Sequence, residues 1–250
     1  MGSLQGKFAI VTGGTAGIGR ACAMALAREG VNMIVTGRSA DRASRVQPLL
    51  DAGQAFYLPQ DTTKESEWPG IVAAAMEKFG RIDILINNAG AITVKPLDVI
   101  TSEDFTRMLD ANPNSVFCGI KAVWQQMVRQ GGGVIVNMSA LMGERTAGIG
   151  MAYTPAKAAQ QALSMTAAIE GGPHNIRVLS VLPGLIWSDG WVRMAGPEPD
   201  KTKTGLGKTI PIGRVGETSE IGDVVAYLCS DDARYITGID IPIDGGKSAG

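Results

Sequence analysis

Histidine is scarce in this chain: its 250 residues contain one, His174. A single histidine excludes an HExxH motif and any multi-histidine metal site, and it excludes a hydrolytic triad unless His174 belongs to it. His174 follows two glycines and Pro173, just before an apolar run, so we interpret it as a surface loop residue. The sequence therefore predicts no metal site.

Cysteine pairs, charge of a single sign and long apolar runs are lacking as well. Cys22, Cys118 and Cys229 are far apart and form no CxxC pair, which argues against a disulfide framework or a thiolate metal site. Lys and Arg total 23 and Asp and Glu total 24, so no basic field attracts nucleic acid or anionic lipid. No apolar run approaches the ~18 residues of a membrane span, and residues 1–7 lack the apolar core of a signal peptide. We expect a cytoplasmic protein whose partner is a small molecule, and neither nucleic acid nor a membrane.

Short apolar runs rich in β-branched residues alternate with longer helical patterns. The strand patterns cover 8–12, 32–36, 55–58, 82–87, 134–139, 176–182 and 239–243. The helical patterns cover 18–28, 65–79, 103–129 and 153–169. Strands that are apolar throughout and separated by helices indicate a parallel sheet covered on both faces. We predict an α/β fold with helices on both faces of a Rossmann-type, doubly wound parallel sheet of about seven strands, as one domain over 1–250.

The alternation fails at 187–212, where seven glycines and prolines interrupt any helix. A long irregular segment within a compact domain is commonly a functional lid. This one carries Trp187, Trp191 and Met194. We predict that 187–212 is a substrate-binding lid within the single domain.

A glycine-rich turn joins the first strand pattern to the first helix. It reads Thr12-Gly13-Gly14-Thr15-Ala16-Gly17-Ile18-Gly19. Glycines at this place allow a tight turn and a close backbone approach to a pyrophosphate, which sits at the positive N-terminus of the helix. The position of the turn therefore favours a dinucleotide site over an ordinary glycine turn.

Tyr153 and Lys157 stand one helical turn apart, so their side chains can share a site. A free tyrosine has a pKa near ~10, and a neighbouring positive charge lowers it by stabilising the phenolate. Tyr153 is thus a candidate general acid. The spacing alone is also compatible with a structural pair.

The turn and the Tyr-Lys pair together resemble the short-chain dehydrogenase/reductase family, and the resemblance spans nearly the whole chain. Further motifs are similar to that family in the same order: Asp61-Thr62, Asn87-Asn88-Ala89-Gly90, Asn112, Pro183-Gly184 and Asp244-Gly245-Gly246. The resemblance implies reversible hydride transfer between a nicotinamide and a carbonyl or secondary alcohol. It assigns cofactor contacts to Gly13, Thr15, Gly17, Ile18, Gly19, Arg38, Ser39, Asp61, Thr62, Asn88, Ala89, Gly90, Tyr153, Lys157, Pro183, Gly184, Ile186 and Ser188.

Three catalytic roles follow from the same resemblance. Tyr153 would protonate the developing alkoxide, Lys157 would bind the nicotinamide ribose and lower the pKa of Tyr153, and Asn112 would hold the water of a proton relay. Pro113, directly after Asn112, removes a backbone donor and disfavours helical dihedrals before it. We therefore expect a break in the helix at that point.

The main departure from the family lies thirteen residues before Tyr153. A serine that hydrogen-bonds the reacting oxygen belongs there, within Ser-x-x-Gly, but the chain has Ala140, with Gly143 in register. Ser139 is a possible substitute, although neighbouring strand residues point to opposite faces unless a bulge re-aims one of them. Losing one donor to an oxyanion typically costs ~10² to 10³ in turnover. The chain is therefore a weakened natural enzyme, an engineered variant, or a protein with another activity.

The cofactor preference is predicted from the end of the second strand pattern. It reads Thr36-Gly37-Arg38-Ser39, with no acid before Asp41. An acid there holds the ribose hydroxyls of NAD, whereas an arginine accommodates the 2′-phosphate of NADP. We predict that NADP(H) is preferred over NAD(H), although Ala16 stands where many NADP-preferring relatives carry a second basic residue.

The leading hypothesis is an NADP(H)-dependent oxidoreductase for an apolar, cyclic or aromatic ketone and its alcohol. The alternative is a non-redox protein that keeps the nucleotide site and binds a ligand or catalyses cyclisation or isomerisation. Family members are commonly homotetramers, and the resemblance implies a homotetramer or dimer here. The predicted substrate contacts follow strands five and six, where ligands bind in such sheets; they are Leu141, Met142, Met151, Trp187, Trp191 and Met194, with Ile149 near them.

Overall fold

The computed structural model describes residues 4–141 and 150–249. Its strands are β1 (Phe8–Val11), β2 (Asn32–Gly37), β3 (Ala55–Pro59), β4 (Ile84–Asn87), β5 (Gly133–Met138), β6 (Ile176–Pro183), β7 (Ile186–Trp187), β8 (Gly216–Glu217) and β9 (Asp240–Ile243). Its α-helices are α1 (Gly17–Arg28), α2 (Gln47–Asp51), α3 (Trp68–Phe79), α4 (Ser102–Leu109), α5 (Ser115–Arg129), α6 (Tyr153–Gly171), α7 (Asp189–Met194), α8 (Pro199–Gly207) and α9 (Thr218–Cys229).

Seven of these strands form one parallel sheet in the order β3-β2-β1-β4-β5-β6-β9. The prediction of a doubly wound parallel sheet of seven strands is confirmed. The order reverses between β1 and β4, so loops leaving their carboxyl ends diverge and open a crevice there. That crevice is the expected place for a ligand.

Helices cover both faces of the sheet because its strands are apolar on both sides. On one face, α1 and α9 bury side chains such as Leu26 and Val225 against the strands. On the other face, α3 and α5 bury Trp68, Val123 and Met127, with the far end of α6 beside them. Two buried cores therefore hold the sheet fixed beneath the crevice.

The helix predicted over 103–129 is interrupted. Asp110–Asn114 forms a π-helical turn between α4 and α5, with Pro113 inside it. A proline cannot donate the regular helical hydrogen bond, and the wider turn accommodates this loss. The predicted break at Asn112 is confirmed.

The expectation that 187–212 contains no helix is wrong. Two short helices, α7 and α8, form there, separated by Gly196 with φ +75°. Pro199 is tolerated because it occupies the first helical position, where no backbone donor is needed, and Asp189 and Asp200 lie in first turns that favour acids. The glycines and prolines divide the segment without abolishing its helices.

The single histidine and the three cysteines lie within the described residues. His174 is exposed in the short turn Gly172–His174, as predicted. Cys22, Cys118 and Cys229 are buried free thiols. Among the described residues no group of His, Cys, Asp and Glu could hold a metal ion. Within the same residues, no helix is long and apolar enough to cross a membrane.

Candidate active site and cofactor cleft

The glycine turn after β1 has a backbone conformation and close packing that leave no room for side chains at several of its positions. Gly13 and Gly17 have φ of +61° and +51°, in the region that favours glycine. A Cβ on Gly19 would lie 2.3 Å from Nδ2 of Asn88 and 2.5 Å from the Gly13 carbonyl oxygen. The N-terminus of α1 has no side-chain cap, so its backbone N–H groups remain available to an anion.

The turn is braced against the chain that leaves β4. The Thr12 hydroxyl accepts hydrogen bonds from the backbone N–H groups of Asn88 and Ala89, at 3.0 and 3.1 Å, and donates to the Ile86 carbonyl. The Asn88 side chain donates to the carbonyls of Thr12 and Gly13. Two motifs far apart in the sequence are thus fixed together at the switch point of the sheet.

A cavity of about 230 Å³ opens beside this turn. Its walls contain eight of the predicted cofactor residues: Gly13, Thr15, Arg38, Asp61, Thr62, Asn88, Ala89 and Gly90. Gln60 also lines it, is 3% exposed, and has no hydrogen-bond partner on either amide atom among the described residues. A buried amide that lacks partners can serve a donor and an acceptor of a ligand. The glycine cradle, the open helix N-terminus and this amide fit a dinucleotide.

The other predicted cofactor residues lie around the cavity and do not line it. Ile18 and Gly19 belong to α1, while Ser39 accepts the Tyr57 hydroxyl on its carbonyl. Pro183 ends β6, Ile186 is buried in β7, and a Cβ on Gly184 would lie 2.6 Å from that of Asp244. Ser188 precedes α7, and its Cβ lies 3.6 Å from the position of a Cβ on Gly17. The start of the predicted lid therefore reaches the phosphate-binding turn.

Tyr153 and Lys157 meet at the first turns of α6, beside the end of β5. Lys157 is 5% exposed, and its Nζ donates a 2.8 Å hydrogen bond to the Met138 carbonyl. The Nζ lies 5.7 Å from the centre of the Tyr153 ring. The one-turn spacing does bring the two side chains together. The hydrogen bond of the Lys157 ammonium, however, goes to the backbone of β5 and not to the phenol oxygen of Tyr153.

Burial dominates the protonation of both groups. It raises the pKa of the Tyr153 phenol to about 12 and lowers the pKa of the Lys157 ammonium to about 7. The expected lowering of the Tyr153 pKa by Lys157 is therefore wrong for the protein alone. Among the described residues Lys157 has no anionic partner, and a buried ammonium loses part of its charge near neutral pH, which limits how far it stabilises a phenolate.

The buried lysine predicts a pH-dependent stability. Between pH 7 and 10.5 the unfolded chain holds a proton on Lys157 that the folded chain has released, so the free energy of unfolding should rise with pH across this window. In urea titrations without cofactor, Lys157→Met should flatten that rise by on the order of a few kcal/mol. The exposed Lys208→Met serves as control. An unchanged slope in Lys157→Met would contradict the buried, deprotonating amine.

Asn112 completes the group from the π-helical turn. It is fully buried, and its Nδ2 donates to the carbonyls of Met108 and Ala91 at 2.9 and 3.1 Å. Its Oδ1 has no partner among the described residues, and a Cβ on Gly90 would lie 2.8 Å from it. Asn112 is thus fixed at the end of β4 with an acceptor left for a water molecule.

Ser139 is turned away from a substrate. Its hydroxyl is buried and donates a 3.1 Å hydrogen bond to the Lys157 carbonyl on α6. Ala140 follows it and is half-buried. β5 ends at Met138, one residue before Ser139, so the strand alternation does not extend to this pair. The described geometry gives no support to Ser139 as the missing donor.

The predicted substrate residues are spread over three segments. Leu141 is half-buried after β5, and Met151 is 50% exposed just before α6. Trp187 and Trp191 are half-buried at the start of the predicted lid, and Met194 ends α7 at 61% exposure. Met142, Gly143 and Ile149 lie outside the residues that the structure describes. The described members of this set therefore lie on segments that follow β5 and β6.

Sequence reasoning missed three residues of the cleft. Arg42 and Gln60 line the same cavity as Arg38, and Tyr57 donates its hydroxyl proton to the carbonyls of Gly37 and Ser39. The spacing of four residues between Arg38 and Arg42 is visible in the sequence, but it does not show that both residues line one cavity. Gln60 gives no signal in a sequence, because it stands out only as a buried amide without a hydrogen-bond partner among the described residues.

The arrangement is that of a nicotinamide-dependent dehydrogenase or reductase built on a doubly wound sheet. A family model described as enoyl-(acyl carrier protein) reductase matches residues 13–248. The chain belongs to the short-chain dehydrogenase/reductase family, and it is an oxidoreductase of that family.

Relatives of known activity match over almost the whole chain. The 2,5-dichloro-2,5-cyclohexadiene-1,4-diol dehydrogenase LinX of Sphingobium indicum is 34% identical over 249 residues, which are 99% of this chain and 98% of that protein. Cyclopentanol dehydrogenase of Comamonas sp. is 33% identical, with all of both chains covered. The crystal structure of levodione reductase superposes with a TM-score of 0.90 at 33% identity, covering 98% of each chain.

Proposed function

We propose that this protein is an NADP(H)-dependent oxidoreductase that interconverts an apolar cyclic ketone and its secondary alcohol. The observation that carries the proposal is the meeting of Tyr153, Lys157 and Asn112 at the ends of β4 and β5, next to the cleft beside the glycine turn. These three groups belong to elements far apart in the sequence. Their convergence at a switch-point crevice is what catalysis of this kind needs.

The dinucleotide would be held by the glycine turn, the N-terminus of α1 and the cavity lined by Arg38, Gln60 and Asp61. When bound, the nicotinamide gives or accepts a hydride. Tyr153 donates a proton to the carbonyl oxygen in reduction, and its raised pKa keeps the phenol protonated for that task. Lys157 would hold a ribose hydroxyl, and Asn112 would position a water that returns a proton to the Tyr153 phenol.

NADPH is expected to bind more tightly than NADH. Arg38 lines the cavity at the end of β2, no acid precedes Asp41 there, and an arginine at this place accommodates a 2′-phosphate. Titration of both reduced cofactors by nicotinamide fluorescence tests the preference. Tighter binding of NADH would overturn it.

The substrate is proposed from the apolar approach to Tyr153 and from the relatives. Cyclopentanol dehydrogenase and trans-4-hydroxycyclohexanecarboxylate dehydrogenase, each 33% identical to this chain, are named for cyclic substrates. Residues 187–212 would act as a lid that presents Trp187, Trp191 and Met194 to the ligand, together with Leu141, Met142 and Met151. An aromatic ketone is a second candidate substrate of the same apolar character.

A panel of cyclic ketones with NADPH, followed by the loss of nicotinamide absorbance, tests the activity. The second candidate, a non-redox protein that retains the nucleotide site, is favoured by one observation, Ala140 at the serine position. Tight NADPH binding without turnover of any ketone, in the wild type and in Ala140→Ser alike, would favour that candidate. Ketone-dependent oxidation of NADPH that Tyr153→Phe abolishes would exclude it.

A homotetramer, or a dimer, is proposed for the assembly. Large apolar side chains on two helices support it: Phe117 on α5 is 49% exposed, and Met165 and Ile169 on α6 are 43% and 79% exposed. Exposed side chains of this size commonly mark contact sites between proteins. A cytoplasmic location is proposed with it, because the three buried thiols form no disulfide.

A further inference from the structure

The cofactor cavity contains a second arginine besides Arg38. Arg42 lies in the short helix Ala40–Val46 that follows β2, and it lines the same cavity as Thr15, Ala16 and Arg38. Its backbone N–H donates to the Ser39 carbonyl at 3.1 Å, which closes the first turn of that helix. The turn therefore brings a residue four positions beyond Arg38 back to the cavity.

Both arginines lack partners among the residues that the structure describes. No hydrogen bond or ion pair of the Arg38 or Arg42 guanidinium is found there, whereas Arg45 of the same short helix pairs with Asp189 at 3.4 Å. Arg81, Arg107 and Arg214 elsewhere are paired with carboxylates too. Two arginines without partners among the described residues, both lining one cavity, fit a doubly charged anion, since a phosphate monoester carries about −1.5 to −2 at neutral pH.

Tyr57 fixes the backbone that carries these groups. Its hydroxyl lies 2.9 Å from the Gly37 carbonyl oxygen and 2.7 Å from that of Ser39, and it shares its proton between the two. Burial raises the pKa of this hydroxyl, the charge of Asp41 adds to the rise, and the charge of Arg42 opposes it. The Tyr57 hydroxyl thus ties β3 to the turn that carries Arg38.

We propose that Arg42, together with Arg38, binds the 2′-phosphate of NADP(H), and that Tyr57 positions the turn between them. This inference rests on the proposed NADP(H) preference and deepens it. Ala16, which also lines the cavity, lacks the second positive charge that the glycine turn could have supplied. Asp61 lies on the same cavity and is assigned to the adenine, because its negative charge would repel a phosphate. Hydrogen bonds from Thr63 hold the pKa of Asp61 below its ordinary value, so the carboxylate stays charged.

The test compares two arginines of one short helix. Arg42→Gln and Arg45→Gln are titrated with NADPH and NADH by fluorescence, and with 2′,5′-ADP and 5′-AMP by calorimetry. Arg42→Gln should weaken binding of NADPH and 2′,5′-ADP by about 10- to 100-fold, the usual value of a hydrogen bond to a charged group, and leave NADH and 5′-AMP unchanged. Arg45→Gln should leave the ratio of the two cofactor affinities as in the wild type.

The variant Tyr57→Phe distinguishes positioning of the arginine turn by Tyr57 from direct contact of Arg42 with the phosphate. Removing the hydroxyl should weaken NADPH binding less than Arg42→Gln does, and it should lower the affinity ratio of NADPH to NADH while Arg42 is still present. If the wild type prefers NADPH and Arg42→Gln binds NADPH as tightly as the wild type does, this inference is overturned and the cofactor proposal stays intact. A wild type that prefers NADH would overturn both. Equal weakening of NADPH and NADH by Arg42→Gln would assign Arg42 a structural role.

Discussion

Replacing Ala140 by serine should raise the rate of ketone reduction about 100-fold, the usual contribution of one donor to a developing oxyanion. Ala140 follows β5 directly and has the spacing to Tyr153 that the family requires of its serine. Its neighbour Ser139 already donates its hydroxyl to the α6 backbone, so Ser139 does not supply the missing donor in this arrangement. The gain should appear in kcat more than in KM, because this hydrogen bond strengthens as charge develops on the oxygen.

Two further variants define what the gain means. Ala140→Cys adds a group of similar size but only a weak donor, so it should give little or no increase. Tyr153→Phe in the Ala140→Ser background should remove the increase by removing the proton donor. If Ala140→Ser changes nothing while Ser139→Ala removes existing activity, Ser139 is the true partner. Should neither Ala140→Ser nor Ser139→Ala change the rate with any ketone, the proposal of a ketone reductase loses to the non-redox alternative.

The sheet was predictable because its strands are buried on both faces. A strand covered by helices on both sides must be apolar at every position, and such runs stand out in a sequence. All seven predicted runs became strands of the main sheet. Some boundaries moved: β4 begins at Ile84, two residues after the start of the predicted run. Asp83, just before it, accepts hydrogen bonds from Arg81 and from the Phe8 backbone.

The helices of 187–212 were missed because glycine and proline were read as interruptions alone. Their effect depends on position: Pro199 at a first helical position and Gly196 between two helices are compatible with α7 and α8. Helix α9 was missed too. It is marked by a reciprocal pair in which the side chains of Glu217 and Glu220 cap each other's backbone. Glutamate is an unusual cap, so the pair gave little signal.

The site was predicted as a set of residues but not as an electrostatic state. Spacing placed Tyr153 beside Lys157, and the structure agrees. Spacing could not show that both groups are buried, nor that the Lys157 Nζ donates to the Met138 carbonyl. The pKa values of the two groups depend on that burial, and burial is a property of the packed fold. The same limit applies to Arg42, since the sequence does not show which wall a short helix presents to a cavity.

Gly19→Ala should destabilise the protein and disrupt its cofactor site together. The new Cβ would lie 2.3 Å from Nδ2 of Asn88 and 2.5 Å from the Gly13 carbonyl oxygen. The Asn88 side chain could rotate away, but it would then lose its hydrogen bonds to Thr12 and Gly13, and the backbone oxygen cannot move without opening the turn. We expect the free energy of unfolding to fall by about 1–3 kcal/mol, and NADPH binding to weaken by about 10-fold or more, since one lost charge-assisted hydrogen bond suffices for that.

The matched control for this variant is Gly70→Ala in α3. A Cβ there meets nothing within 4 Å, and alanine is the better helix residue, so the free energy of unfolding should rise by about 0.5–1 kcal/mol. Urea unfolding and NADPH titration of both variants check the pair. If Gly19→Ala binds NADPH as the wild type does, the close approach of α1 to Asn88 does not shape the site. If it loses affinity without losing stability, the alanine acts on the ligand directly, and the turn itself has kept its form.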